Sequence, residues 1–373
     1  MGEANRADAA PVVLDRAGLD GLIAALAAEG CEVIGPVRRD GAVGYEPVSG
    51  TGDLPRGWVD EQSGGRYRLR KEGDAFFGVT HGPQGWKRIL HPPRETLWSV
   101  ETGAAPKITA PPLDDRRRAF LGVRPCDLAA IAIQDKVFLG GPFHDPRYGA
   151  RRDNLFLVAV NCTRAAATCF CTSMGTGPEA RAGYDIVLTE LEGHAFLAAA
   201  GSAAGAAMLA TLPHAPAEDD HVALAEAAIE RATDQQRDLD TDGLPEVLTS
   251  NPDHPRWDEV ASRCLNCANC TMVCPTCFCT GVTEVSTLDG SHAAREQHWS
   301  SCFTTDFSHV HGGPVRPGAK ARYRQWMTHK LATWVDQFGT MGCTGCGRCI
   351  SWCPVGIDIT EEAAAIRGEG IAG

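Results

Sequence analysis

The sequence predicts an α+β / α/β molecule: a mixed α/β domain at the N-terminus, followed by a smaller domain organised around cysteine ligands. Three observations predict it. Apolar runs alternate with Ala-rich helical stretches through the first part, the pattern of a parallel or mixed sheet covered by helices. Eleven of the sixteen cysteines fall between Cys264 and Cys353. Between the two regions lies a stretch rich in Asp, Asn, Pro and Gly, Leu239–His254, which reads as a linker. The expected domains are therefore residues 1–244 and 255–373.

The elements follow in order. The opening MGEANRADAA has scattered charges and no apolar core, so it does not read as a secretory leader. Met1-Gly2 resembles a myristoylation start, but Arg6 stands where Ser or Thr is required. Asp15 is placed to cap a helix through Leu19, Leu22, Ile23 and Leu26 that ends at Gly30. Ala119–Val123, Leu155–Val160 and Asp185–Leu188 are short enough for buried strands. Ala203–Leu212 and Val222–Leu239 read as helices. The second part shows little regular pattern apart from one helix, Ala319–Phe338.

Apolar residues make up 43% and charged residues 22%, an ordinary globular balance. No run reaches the roughly 20 apolar residues of a membrane span, so the expectation is a cytoplasmic protein with no membrane partner. A net charge of −12 argues against nucleic acid as a partner. One stretch is locally basic: Arg316, Lys320, Arg322, Arg324 and Lys330 with no acid between them. It reads either as a solvated face or as a docking patch.

In a reducing cytoplasm, grouped cysteines point to metal rather than disulfides. Cys264, Cys267, Cys270 and Cys274-Pro275 have the spacing C-x2-C-x2-C-x3-C-P, and Cys343, Cys346, Cys349 and Cys353-Pro354 repeat it. Three cysteines two residues apart give three thiolates to one cube, and the fourth ligates the other cube in two-cluster ferredoxins. The spacing therefore assigns Cys264, Cys267, Cys270 and Cys353 to cluster I, and Cys343, Cys346, Cys349 and Cys274 to cluster II. Zinc knuckles are the competing reading, but zinc does not explain this run occurring twice. The result is a ferredoxin-like domain with two 4Fe–4S clusters and a long insert at about residues 275–342.

Thr168-Cys169-Phe170-Cys171-Thr172 recurs identically as Thr276-Cys277-Phe278-Cys279-Thr280. Cys126 and Cys162 each follow a predicted strand, where α/β folds place their sites. Cys126, Cys162, Cys169 and Cys171 thus read either as a third 4Fe–4S cluster or as buried thiols. Cys277, Cys279 and Cys302 are only three; they line a cluster, recruit His or Asp as a fourth ligand, or are simply buried. Cys31 reads as core. Arg124-Pro125-Cys126-Asp127 brings charge beside a thiol. There is no nucleotide-binding glycine motif, no nucleophile constellation and hence no catalytic residue to assign.

The segments GVRPCDLAAIAIQDKVFL, NCTRAAATCFCTSMGTGP, CPTCFCTGVTEV and CTGCGRCISWCPVGIDI together resemble the 4Fe–4S dicluster beta subunit of cytosolic nickel–iron hydrogenases, the sulfhydrogenase beta subunits. That family is similar to the A subunit of anaerobic sulfite reductase. The likeness runs from about Leu14 to Ile359, and the eight ferredoxin cysteines carry over position by position. His309-Val310-His311-Gly312-Gly313 departs from the family's glycine-rich turn. The resemblance implies a non-catalytic electron-transfer subunit of a heteromultimer. Its partners would be a flavoprotein NAD(P)-binding subunit and the hydrogenase small and large subunits. The alternative is the equivalent subunit of a sulfite reductase; a redox sensor built on the same clusters fits the paired motifs less well.

Overall fold

The runs Arg118–Val123 and Leu155–Val160 are apolar throughout, so as strands they must be covered on both faces. The computed structural model describes residues 10–103 and 105–368; residues 1–9, where the leader and myristoylation readings fall, lie outside it. In chain order the strands are β1 (Val12–Leu14), β2 (Glu32–Arg39), β3 (Ala42–Pro47), β4 (Trp58–Ser63), β5 (Arg66–Lys71), β6 (Arg94–Glu101), β7 (Lys107–Thr109), β8 (Arg118–Val123), β9 (Leu155–Val160), β10 (Ile186–Glu190), β11 (Phe196–Ala200), β12 (Ala215–Pro216), β13 (Thr280–Ser286), β14 (His292–Trp299), β15 (His309–Val310) and β16 (Gly313–Pro314).

Eight of them form one mixed sheet in the order β12-β1-β11-β10-β9-β8-β2-β3. Its centre, β2, β8, β9 and β10, is parallel, and its margins are antiparallel. Successive side chains alternate between two cores. Ala119, Leu121, Val158 and Val160 meet Leu19, Leu22, Ile23 and Leu26 of the helix Arg16–Ala28. Phe120, Val123, Leu157 and Ala159 meet Leu128 and Ile131 of the helix Pro125–Phe138. Asp15 caps the first of these helices, accepting from Gly18 N at 2.8 Å. Each buried aliphatic side chain contributes roughly 1.5–3 kcal/mol, more than helix propensity supplies over such a length.

A third core gathers Leu244, Leu248, Trp257, Tyr323, Trp326 and Ile359 around the ferredoxin-type cysteines. The linker expectation fails here. Leu244–Ser250 is a helix with Pro245 in its first turn, and Leu244 and Leu248 are buried in this core. The helix expected at Val222–Leu239 forms at Asp219–Arg231 instead. The chain then turns back, because Gln235 and Arg237 make contacts with Cys171, Ala167 and Asp358.

The second part holds more regular structure than its sequence suggests. β13 and β14 form a hairpin that joins β6 and β7 in a four-stranded sheet, order β13-β14-β6-β7. The expected helix Ala319–Phe338 is present but interrupted: α-helical to Thr328, a π-turn over His329–Thr333, then α-helical from Trp334. Among the described residues no helix is long and apolar enough to cross a membrane.

Part of the basic stretch is turned into the molecule, while Arg316, Lys320 and Arg324 stay partly exposed. Arg322 is buried and donates to the carbonyls of Phe303, Arg316 and Pro317. Lys330 is buried, Lys320 pairs with Asp258 at 2.8 Å, and Arg324 donates to Pro252 O.

Candidate metal centres

The two cysteine loops follow one path. Two and four residues after the first cysteine the backbone turns left-handed, at Asn266 (φ 51°) and Ala268 (φ 65°) in one loop and Gly345 (φ 62°) and Gly347 (φ 73°) in the other. A short helix follows each, Asn269–Met272 and Arg348–Ser351. Left-handed residues alternating with ordinary ones turn successive N–H groups inward, which makes an anion-binding nest. Gly345 N donates to Cys343 Sγ at 3.5 Å and Ile357 N to Cys353 Sγ at 3.3 Å.

Cys264, Cys267, Cys270 and Cys353 line one cavity together with Cys349, walled by Phe303, Tyr323, Trp326, Ile357 and Ile359. Burial pushes the Cys270 thiol well up, and the sulfurs of Cys302, Cys264, Cys353 and Cys267 push it further. Cys349 is raised by burial and then by Cys343, Cys346 and Cys274. Each fourth cysteine therefore stands among the first three of the opposite motif. Cys274 itself moves the other way: hydrogen bonding from Cys277 and the Lys330 ammonium hold it well below the usual thiol range. Lys330 Nζ lies 3.3 Å from Cys274 Sγ and also donates to Thr276 Oγ1 and Gly342 O. Sets of soft sulfur donors, inward amides and a water-poor apolar wall fit an iron–sulfur cube. Among the described residues no three of His, Cys, Asp and Glu converge at single-ion distance.

Cys126, Cys162, Cys169 and Cys171 lie at the carboxyl ends of the central strands. A bulge in β8 at Gly122 redirects the chain into the helix whose first turn carries Cys126. Cys162 follows β9, and the Thr168–Cys171 loop crosses directly onto the second ferredoxin motif. Phe170 N donates to Gly345 O at 2.8 Å. A Cβ on Gly345 would sit 2.4 Å from Phe170 O, and one on Gly347 2.1 Å from Thr168 O. Cys126, Cys171 and Cys346 pack together. Burial raises Cys126 and Cys169 well above the usual range and Cys171 to about 12, each then pushed further by a neighbouring charge or thiol. Cys162 is raised mainly by burial, against the opposing Arg124 guanidinium.

Cys277, Cys279 and Cys302 line a second cavity together with Phe278, His329 and Trp334. Burial raises Cys302 to about 12. Cys31 is buried in the first core, as expected. His309 and His311 sit on the exposed β15–β16 hairpin.

Sequence reasoning missed two of the buried charges, Arg348 and Lys87. Arg348 lies inside the second cysteine motif and forms a two-pronged ion pair with Asp127. Lys87 is buried, donates to Cys277 O at 3.1 Å and stands 3.9 Å from the Trp299 ring centre. Arg124 is structural: its guanidinium ties together the carbonyls of Phe77, Val79, Thr80 and Asn161. The glycines of Cys343-Thr-Gly-Cys-Gly-Arg-Cys were the available signal that another backbone passes close by.

Residues 263–357 match the 4Fe-4S dicluster domain family. The chain is 31% identical over 285 residues to sulfhydrogenase 2 subunit beta of Pyrococcus furiosus, covering 75% of this chain and 82% of that protein. No solved structure matches the chain. With that identity spread over three quarters of its length, and cysteine loops built alike in both halves of a dicluster domain, the chain belongs to the sulfhydrogenase beta-subunit family.

Proposed function

We propose that the chain relays electrons between a flavin- and NAD(P)-binding subunit and the small subunit of a nickel–iron hydrogenase, within a heteromultimer. The name of the Pyrococcus furiosus relative favours this over the sulfite reductase assignment. Residues 255–373 would hold two cubes: one on Cys264, Cys267, Cys270 and Cys353, the other on Cys343, Cys346, Cys349 and Cys274. Residues 1–244 would hold a third on Cys126, Cys162, Cys169 and Cys171. When bound, such cubes supply one-electron transfer; with every iron capped by protein, no position is left for a substrate.

The observation that carries the relay is the seating of the Thr168–Cys171 loop on Gly345 and Gly347. It sets the N-terminal cysteines against the second ferredoxin motif with no element between them. The residues serve the relay by excluding water and by placing cations: Lys330 faces Cys274, and Arg348 follows Cys346 in sequence by two.

The test is the anaerobically assembled complex. NAD(P)H should bleach the iron–sulfur absorbance of this subunit and hydrogen should appear. A Cys126→Ser/Cys171→Ser chain should lose about four irons and the electron exchange with it. Undiminished exchange in that variant would remove the third site from the relay.

A further inference from the structure

The repeated TCFCT segment has a second copy, and the fold completes its surroundings differently from the first. In β13–β14, Thr280 pairs with Trp299, so the hairpin brings Cys279 at its entrance next to Cys302 just past its exit. Ser300 N donates to Cys279 O at 2.8 Å and closes that end. Cys277, Cys279 and Cys302 thereby share one cavity. The remaining cysteines are already placed: twelve in the three sets above, and Cys31 in the first core.

A fourth ligand has to come from the wall. Thr276 Oγ1 is committed to Gly342 O at 2.7 Å, and Thr271 Oγ1 to Ala268 O and Ser301 Oγ. His329 lines the same cavity, and among the described residues its ring nitrogens make no hydrogen bond. It opens the π-turn His329–Thr333, and a π-turn inside an α-helix frequently marks a functional site. Its ring packs 6.0 Å from Trp334 and 6.4 Å from Phe278, so it is held rather than free.

The charge around this cavity is unbalanced. Lys87 and Lys330 are both 5% exposed, and among the described residues neither forms an ion pair with a carboxylate. One donates to Cys277 O and the other lies against Cys274 Sγ. Lys330 already faces the Cys274 sulfur of the second ferredoxin motif, which leaves Lys87 as the buried ammonium without an anion, and such a group is costly. Three thiolates on an iron–sulfur core would supply the missing negative charge, whereas three neutral thiols would not.

The geometry points to a further 4Fe–4S cube held by Cys277, Cys279, Cys302 and His329, with three thiolates and one imidazole. This site is independent of the relay, since it concerns what the chain binds and not what it exchanges electrons with.

The experiment uses the full chain, reconstituted anaerobically with iron and sulfide, with iron, labile sulfide and zinc counted and EPR recorded. Cys277→Ser/Cys302→Ser should lose about four irons and four sulfides, leaving the signals of the other cubes intact. His329→Cys should keep the full count, because a thiolate also ligates iron, while its EPR signal and reduction potential shift. An unchanged iron count in the double variant overturns the site, as does one zinc per chain lost in place of the iron. An unshifted spectrum in His329→Cys removes the imidazole from it.

Discussion

The Arg348 guanidinium grips the Asp127 carboxylate through two hydrogen bonds, 2.8 and 2.9 Å, with both side chains withdrawn from water. The pair joins the helix that carries Cys126 to the loop that carries Cys346. Removing one member of a buried pair strands the other charge and costs about 3–5 kcal/mol. Asp127→Asn and Arg348→Met should each show that loss in denaturant unfolding of the anaerobic chain. Their combination should cost clearly less than the sum; strictly additive costs would mean that the two charges do not depend on each other.

The two left-handed loop positions should respond oppositely to one methyl group. Ala268→Gly releases a non-glycine residue from positive φ and should be neutral or stabilising by up to about 1 kcal/mol. Gly347→Ala drives a Cβ into Thr168 O and should destabilise the chain and lower its iron content. Melting temperatures and iron counts of the two variants decide it. Equal tolerance at both positions would contradict the contact.

Because Cys274 stands with Cys343, Cys346 and Cys349, Cys274→Ala should damage the cube of the second motif, and Cys353→Ala that of the first. EPR of the two reduced variants should show complementary losses. The same signal disappearing from both would refute the crossing of ligands.

His91 gives a pH dependence. Burial first, and the Lys87 ammonium second, hold its imidazole down at about 4, against about 6.5 unfolded. The unfolded chain therefore takes up this proton first as pH falls. Stability from this group is intact above pH 6.5, declines toward pH 4, and amounts to about 3 kcal/mol in total. His91→Phe, which keeps a ring against Phe138, should gain on the native chain across that window in paired melts. Parallel pH curves would show that His91 is not the source.

Much of this was legible. β8, β9 and β10 declare themselves because a strand covered on both faces must be apolar at every position, and the eight ferredoxin cysteines do so because a cube fixes their spacing. The β13–β14 hairpin was not, since β13 is largely exposed, β14 is mostly only half-buried, and neither shows an apolar run; Asp289-Gly290 at its turn was the one signal present. The helix Leu244–Ser250 hid behind its Pro and Asp neighbours, although Pro belongs in a first helical turn. The burial of Arg322 and Lys330 was not legible, because a charge pattern does not say whether a cation faces water or loop carbonyls. Arg348 and Asp127 lie too far apart in sequence for any local pattern to pair them.

The four-stranded sheet also sets a timetable for making the molecule. β6 leaves the ribosome with β7 on one side, and its other edge must wait for β14, about 190 residues later, which at 5–20 residues per second is roughly 10–40 s of synthesis. Through that interval an open strand edge is presented to other chains, the condition under which nascent proteins aggregate or recruit chaperones. Cys279 and Cys302 flank the late hairpin, so their neighbourhood is assembled only after it docks. Metal delivery to Cys279 and Cys302 would therefore follow the docking of the hairpin and not the emergence of the cysteines themselves.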